Sequence, residues 1–272
     1  RDCHPGGSLR APSRPGLVKI EQGEPGLDLT GDLFRARLDQ IIDMKHELAR
    51  LADAIDWEWI DGARAVQIGC NNGRETLSRL SLGARDAVGI DQSPAFLELA
   101  EELRAVSPHA GLCRFVEANI YALPVDLEAG FDLALITIGV VNWMPDLARF
   151  FEVVSSLLSA GGRLVIYETH PVLDMFEPHA EDPHRLAYSY FRTDPFITDE
   201  EIVYDGSETA KAPPSYWHFH TMGEIVTGCV GAGLQIRQLT EYPHSNREPD
   251  YDVYVGQEAQ LPLCYTLVAE KT

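Results

Sequence analysis

Short apolar runs alternate with segments of helical period between residues 63 and 170, and this alternation restricts the fold more than any other feature of the chain. Strands that are separated by helices run parallel, and the helices then cover both faces of the sheet. The runs that we interpret as strands are AVQI (65–68), AVGID (87–91), CRFVEA (113–118), FDLALIT (131–137) and RLVIYE (163–168). The pattern therefore predicts a doubly wound α/β unit.

The first strand leads into the tight turn of AVQIGCNNGRET, residues 65–76, before a helix begins. Gly69 and Gly73 permit a close backbone turn in which amide groups face a ligand at the helix N-terminus. Asp91 ends the second strand, where its carboxylate is able to accept two hydrogen bonds from a ribose diol. Ligands of open α/β sheets bind outside the carboxyl ends of the strands, so these residues predict a cofactor that contains adenosine.

Charge and cysteine usage restrict the partners and the compartment. The net charge of −20 repels a nucleic-acid backbone or an anionic membrane surface over most of the protein. No apolar run approaches the ~18 residues of a membrane helix, and no signal segment opens the chain. The five cysteines are odd in number and form no C-x-x-C pair, which argues against a disulfide framework and a zinc site. We therefore expect a cytoplasmic protein that binds neither nucleic acid nor membrane.

The segments on either side of the alternating region differ from it in composition. Residues 1–29 are rich in Gly and Pro and predict a disordered tail, whereas apolar spacing over 33–57 predicts an amphipathic helix. The helical segment then occupies 30–60, and the main domain occupies 61–272. After Pro171 the alternation stops for about fifty residues, so we expect a lid or binding insertion over about 171–220.

Five stretches resemble, in order and spacing, the successive motifs of class I S-adenosylmethionine-dependent methyltransferases. They are VQIGCNNG, VGIDQSP, EANIYALP, FDLALITIGVVNWMPDL and LLSAGGRLVIYETHP. The resemblance covers residues 63–272, and a subset of bacterial members carries G-C-N-N-G-R-E-T in the first motif. It implies a Rossmann-like, seven-stranded sheet whose last strand is antiparallel, with S-adenosylmethionine as the cofactor.

The resemblance also assigns cofactor-binding residues. They are Gly69, Cys70, Asn71, Asn72 and Gly73 around the methionine part, Asp91 and Gln92 at the ribose, Asn119 and Ile120 at the adenine, and Thr137, Ile138 and Gly139 under the site. Gln67 stands where the family often has an acid, and Asn119 stands where it often has Asp. Each departure removes a negative charge near a cationic sulfonium, so cofactor affinity is the property in question. Cys70 has no neighbouring His or cation, which indicates a packed residue and not a nucleophile.

Methyl transfer requires in-line positioning and, where the acceptor starts protonated, a general base. His170 in YETHP and His220 in YWHFHTMGEIV are the candidate catalytic bases. The alternative, that both histidines only bond lid loops or the entry of the late helix, stays open. His218 and His220 form an H-x-H pair without a placed third ligand, so we predict no metal site. Aromatic residues that would line a pocket for a small-molecule acceptor are Trp143, Tyr188, Tyr190, Phe191, Tyr216 and Trp217.

The favoured reading is an enzyme that methylates an O or N of a small molecule. A nicotinamide-dependent oxidoreductase would share the strand, turn and acid but would carry G-x-G-x-x-G, and this chain has Asn71 and Arg74 at the later glycines. The third alternative is a non-catalytic cofactor-binding protein or an inactive fusion relic. It arises because residues 31–59 resemble the N-terminal region of insertion-sequence transposases, which suggests a fusion. The sequence does not predict the oligomeric state.

Overall fold

The computed structural model describes residues 57–200, 211–246 and 249–272. The predicted tail over 1–29 lies outside the described residues. The predicted helix over 33–57 and the transposase-like stretch also lie outside them, apart from the 3₁₀ turn Trp57–Ile60 at their end.

Seven strands form one central sheet, and two more form a separate small sheet. The described residues contain β1 (Arg64–Ile68), β2 (Asp86–Asp91), β3 (Cys113–Glu117), β4 (Phe131–Ile136), β5 (Leu158–Thr169), β6 (Phe196–Glu200), β7 (Lys211–Trp217), β8 (Leu234–Tyr242) and β9 (Cys264–Lys271). The central order is β3-β2-β1-β4-β5-β9-β8, in which β9 runs antiparallel to both of its neighbours. This order confirms the predicted seven-stranded sheet with an antiparallel last strand.

Four α-helices are described: α1 (Arg74–Ser81), α2 (Pro94–Val106), α3 (Leu147–Leu157) and α4 (Met222–Gly231). Alternate residues of a strand point to opposite faces, and the two main core clusters follow that rule. Ile136 of β4 packs in the cluster that holds Phe150 and Ile225 of α3 and α4, whereas Leu135 packs in the cluster that holds Leu77 of α1. Helices therefore cover both faces of the sheet, as the alternation predicts.

The entry of α2 shows how local sequence fixes an element boundary. The Ser93 side chain accepts a hydrogen bond from the Phe96 amide at 3.4 Å, and Pro94 occupies the first helical position. Both features stabilise the start of a helix, where the first amides have no partner within the helix. The serine side chain accepts from one of these amides, and proline has no N–H to leave unpaired. The buried face of α2 consists of Leu97 and Ala100, whereas Phe96, which the sequence pattern assigns to that face, is only half-buried.

The insertion after β5 is more regular than the sequence predicts. Contacts divide the chain into a unit of Asp56–Pro195 with Trp217–Thr272 and a second unit, of which Phe196–Tyr216 contributes β6 and most of β7. Taken by itself, the second unit has a two-stranded sheet in which Lys211 Nζ lies 3.4 Å from Asp199 Oδ2. Strand β7 is hard to detect because its sequence, KAPPSYW, contains two prolines, which cannot donate to a ladder.

Strand β5 also starts earlier than expected, at Leu158 and not at Arg163. Phe131 pairs with Leu158, but the next pair, Leu133 with Arg163, follows a register shift. Gly161 within the shift has a φ of +77°, which glycine adopts without strain. The residues before the predicted strand thus belong to β5 and form an irregularity inside it.

The described residues also bear on the expectations for membrane helices and disulfides. No helix within them is long and apolar enough to cross a bilayer. The four described cysteines, Cys70, Cys113, Cys229 and Cys264, are buried free thiols.

Candidate functional site

The turn between β1 and α1 contains three left-handed residues in alternation. The φ angles are +67° at Gly69, +49° at Asn71 and +71° at Gly73. A Cβ at Gly69 would lie 2.5 Å from Val140 Cγ2, and one at Gly73 would lie 2.3 Å from the Phe115 ring. Both glycines are therefore required by conformation and by packing, whereas Asn is one of the few residues with a side chain that adopts the left-handed conformation readily.

The backbone amides of this turn donate to acceptors within the protein. The hydrogen bonds run from Gly69 N and Cys70 N to Ile90 O at 2.8 and 3.0 Å, from Asn71 N to Asp91 Oδ2 at 2.8 Å, from Asn72 N to Asn71 Oδ1 at 2.6 Å, and from Gly73 N to Cys70 O at 2.9 Å. These five amides therefore have protein partners, whereas the expectation that amides at the N-terminus of α1 face a ligand stays a prediction. The groups at this edge that are able to bind one are acceptors on the neighbouring strand ends.

Asp91, at the end of β2, is the first of these acceptors. Its Oδ2 accepts from Asn71 N at 2.8 Å and its Oδ1 accepts from Ser93 N at 2.9 Å, so the carboxylate joins the turn after β1 to the entry of α2. Each carboxylate oxygen has a second lone pair, and the side chain is only half-buried. Asp91 therefore retains acceptor capacity for a diol, and Gln92 lies exposed beside it.

Asn119 lies between the end of β3 and the 3₁₀ turn Ile120–Ala122. Its Oδ1 accepts from Tyr121 N at 2.9 Å, which caps the turn. The Asn119 side chain is exposed, and the Ile120 side chain is buried beneath the turn. A carbonyl oxygen has two lone pairs, so Oδ1 is able to accept a further hydrogen bond from an amino group.

Gln67 of β1 belongs to a polar network that links three elements. Thr76 Oγ1 donates to Gln67 Oε1 at 2.6 Å, and Gln67 Nε2 donates to Glu75 Oε2 at 2.7 Å. Thr137 Oγ1, after β4, donates to the same Glu75 oxygen at 2.8 Å. A carboxylate therefore lies at this junction although the strand position itself is Gln. The sequence reasoning did not identify Glu75.

Glu168, near the end of β5, is a second residue that the sequence reasoning missed. It is 1% exposed and accepts hydrogen bonds from the backbone of Gly139 at 2.7 Å, Val141 at 3.1 Å and Thr169 at 3.3 Å. Burial raises the pKa of this carboxyl to about 8, although the backbone hydrogen bonds act in the opposite direction. Glu168 fixes the loop after β4, and its only sequence signal is an acid inside an apolar strand.

Both ring nitrogens of His170 have partners. Nδ1 accepts from Val172 N at 3.1 Å, so the proton of the neutral ring is on Nε2, which lies 2.7 Å from Glu241 Oε1. The ring is buried, and burial lowers its pKa. These contacts are the loop-bonding role that the sequence left open as the alternative to catalysis.

His220 has a different arrangement. Its Nε2 lies 2.7 Å from the Met144 carbonyl oxygen, and because a carbonyl only accepts, Nε2 donates and Nδ1 is the basic nitrogen. Burial lowers the pKa of this ring too. The His218 and His220 rings stack with centroids 6.4 Å apart. Across the described part of the chain, no group of three or more His, Cys, Asp or Glu is placed to hold a metal ion.

Two of the predicted pocket aromatics lie beside the loop after β4. A Cβ at Gly139 would be 3.8 Å from the Trp217 ring, and the Trp143 ring meets Trp217 edge to face with centroids 5.3 Å apart. The Trp217 side chain and Asn142 Nδ2, the latter at 3.2 Å, hydrogen-bond to Asp174. Burial raises the pKa of Asp174 to about 7.

Comparisons with known proteins agree with this architecture. Residues 66–166 match a family model described as a methyltransferase domain. The ribosomal protein L11 methyltransferase of Laribacter hongkongensis is 26% identical over 149 residues, which are 53% of this chain and 44% of that protein. The matched part is thus less than half the length of that curated relative.

Two solved S-adenosylmethionine-dependent methyltransferases share the fold. The protein from Listeria monocytogenes aligns with a TM-score of 0.61 at 16% identity and covers 83% of this chain and 98% of its own. The protein from Mesorhizobium loti aligns with a TM-score of 0.57 at 21% identity and covers 84% of this chain and 99% of its own.

Residues 66–166 thus match a methyltransferase domain, and the fold is the class I, Rossmann-like architecture that two S-adenosylmethionine-dependent methyltransferases share. The acceptors at the strand ends are suited to a cationic sulfonium that carries a ribose diol. The matched range includes all predicted cofactor residues, from Gly69 to Gly139, but neither His170 nor His220. The matched domain favours a methyltransferase over the nicotinamide-dependent alternative.

Proposed function

We propose that this enzyme transfers the methyl group of S-adenosylmethionine to an oxygen or nitrogen of a small molecule. The observation that carries the proposal is the pair Trp143 and Trp217 beside Gly139, at the carboxyl edge of the sheet. Indole rings that meet edge to face offer two apolar walls for a small acceptor. The net charge of −20 supports a neutral or cationic acceptor over a phosphorylated one.

Bound S-adenosylmethionine supplies an electrophilic methyl carbon on a sulfonium. The acceptor's lone pair forms the new bond to that carbon, while the electrons of the carbon–sulfur bond return to sulfur. The acceptor's proton then goes to a base, and we propose His220 Nδ1 for this role because Nε2 is held by the Met144 carbonyl. His170 remains a predicted base, but its bonds to Val172 and Glu241 favour a positioning role.

The acceptor class is the part of the proposal most open to test. The relative from Laribacter hongkongensis is named for a ribosomal protein, which makes a protein acceptor the second candidate. The purified enzyme would be incubated with S-adenosylmethionine and two panels, one of small hydroxyl and amine compounds and one of ribosomal proteins. Formation of S-adenosylhomocysteine with the first panel supports the proposal, and formation with the second panel alone contradicts it.

Calorimetry with S-adenosylhomocysteine tests the cofactor assignment even when no acceptor in the panels is methylated. We expect the chain to bind S-adenosylhomocysteine, and Asp91→Asn to weaken that binding about 10-fold, the scale of a lost charged hydrogen bond. Binding without turnover on either panel would favour the non-catalytic alternative.

The domain limits and the fusion remain proposals. We propose that residues 1–59 are a passenger segment, because residues 31–59 resemble a transposase fragment and the matched domain starts at residue 66. A chain that begins at residue 60 would keep the affinity for S-adenosylhomocysteine and the melting temperature of the full chain. Loss of either property would show that the N-terminal segment contributes to the enzyme.

A further inference from the structure

We propose that Glu75 is the carboxylate that binds the α-ammonium group of the cofactor's methionine part, in place of the acid missing at Gln67. The inference rests on the proposed function only through the cofactor and is independent of the acceptor. It assigns a binding role to a residue of α1 that the resemblance does not assign to the cofactor.

The first argument is position. Glu75 lies in the first turn of α1, two residues after Gly73, and its side chain is half-buried. Its Oε2 accepts from Gln67 Nε2 at 2.7 Å and from Thr137 Oγ1 at 2.8 Å. Because Gln67 belongs to β1 and Thr137 follows β4, the carboxylate lies where these two adjacent strands end beside the cofactor turn.

The second argument is the occupancy of the Gln67 amide. Its Oε1 accepts from Thr76 and its Nε2 donates to Glu75, so both ends of the side chain have protein partners. Gln67 also carries no charge. It serves to orient the Glu75 carboxylate and has no donor or acceptor directed to a cation.

The third argument is the remaining oxygen of Glu75. Within the described ranges, Oε1 makes no hydrogen bond and no cation lies within salt-bridge distance of Glu75, although Arg79, one turn further along α1, interacts with it electrostatically. The amides of Gly69 to Gly73 all donate to acceptors other than Glu75, so none of them is hydrogen-bonded to this carboxylate. A half-buried carboxylate with one oriented oxygen and one open oxygen is suited to accept a charge-assisted hydrogen bond from an ammonium group.

The test compares two ligands that differ in the group that Glu75 would bind. S-adenosylhomocysteine carries the α-ammonium group, whereas 5′-methylthioadenosine has the same nucleoside and thioether without the amino-acid part. We expect Glu75→Gln to weaken S-adenosylhomocysteine about 10- to 100-fold, the range of a charge-assisted hydrogen bond, and to leave 5′-methylthioadenosine within about twofold.

Two controls make the comparison specific. Asp91→Asn should weaken both ligands by a similar factor, because both contain the ribose diol. Glu98→Gln removes the same charge from an exposed position of α2 and should change neither affinity. Equal weakening of both ligands by Glu75→Gln, or no weakening of either, would overturn the proposal.

A charge-exchange variant tests the assignment independently of any folding defect. The double variant Gln67→Glu with Glu75→Gln returns the acid to the strand and keeps an amide–carboxylate pair between the two positions. We expect it to recover most of the preference for S-adenosylhomocysteine over 5′-methylthioadenosine. Folded double-variant protein without that preference would contradict the proposal, and absence of binding of either ligand by the unaltered enzyme would overturn the cofactor assignment as well.

Discussion

The carboxylate of Glu168 accepts the backbone N–H of Gly139 at 2.7 Å, and this bond joins the end of β5 to the loop after β4. The bond connects a buried acid to a residue at the predicted floor of the cofactor site. One side chain therefore links β5 to the loop that we predict to lie under the site.

Removal of the Glu168 carboxyl should destabilise the protein strongly. Glu168→Ala leaves the amides of Gly139 and Val141 buried without their acceptor, at a cost of roughly 2–5 kcal/mol in the free energy of unfolding. Glu168→Gln retains one carbonyl acceptor and should cost less. Urea unfolding measures both, with the exposed Glu152→Gln as the control. Equal stabilities of Glu168→Ala and the control would show that the buried acceptor is not needed.

Protonation of Glu168 should also make the stability of the protein depend on pH. Burial raises the pKa of Glu168 from 4.5 to about 8, so between these values the folded state holds a proton that the unfolded state has released. Its contribution to stability therefore falls as pH rises through that window. Asp174, with a pKa raised to about 7, has the same sign but is present in both proteins and cancels in a comparison. Melting temperatures of the unaltered enzyme and Glu168→Gln should thus diverge with pH, and parallel curves would contradict the assignment.

Substitutions at two left-handed residues of the turn after β1, Gly69 and Asn71, should change stability by different amounts. Gly69→Ala combines a φ of +67° with a Cβ 2.5 Å from Val140 Cγ2, so we expect a loss of roughly 2–4 kcal/mol. Asn71→Gly relieves a φ of +49° but removes the side chain that accepts from Asn72 N, so the two effects oppose each other. Thermal unfolding should show a large loss for the first variant and a change within about 1 kcal/mol for the second.

Substitution of His170 should lower mainly stability, whereas substitution of His220 should lower mainly turnover. His170→Ala removes the partner of Val172 N and Glu241 and should cost roughly 1–3 kcal/mol of stability while turnover by the folded enzyme is retained. His220→Ala should lower kcat about 10²- to 10⁴-fold, the contribution of a general base, with unchanged affinity for S-adenosylhomocysteine. The reverse pattern in matched assays would assign the base to His170.

The elements that local sequence predicts are those whose causes are local. The apolar runs of β1 to β4 and the Ser93 cap require only neighbouring residues, and the structure contains them within one residue or two of the predicted bounds. Strand β7 fails because Pro213 and Pro214 normally disfavour a strand.

Glu75 and Glu168 are not predictable in the same way. Besides Gln67, Glu75 accepts from Thr137, which is 62 residues away, and Glu168 accepts from Gly139, which is 29 residues away. Only the assembled sheet brings these groups together, and no periodicity specifies which way a helix-entry acid turns. An acid within an apolar strand was the one local hint for Glu168.

Asp91 holds the turn after β1 and the entry of α2 through backbone hydrogen bonds of 2.8 and 2.9 Å. The turn that we propose to receive the nucleoside is therefore held in place by hydrogen bonds within the protein. Binding then incurs little loss of loop entropy, and more of the contact energy appears as affinity. We accordingly expect that the cofactor is exchanged between turnovers without local unfolding of this turn.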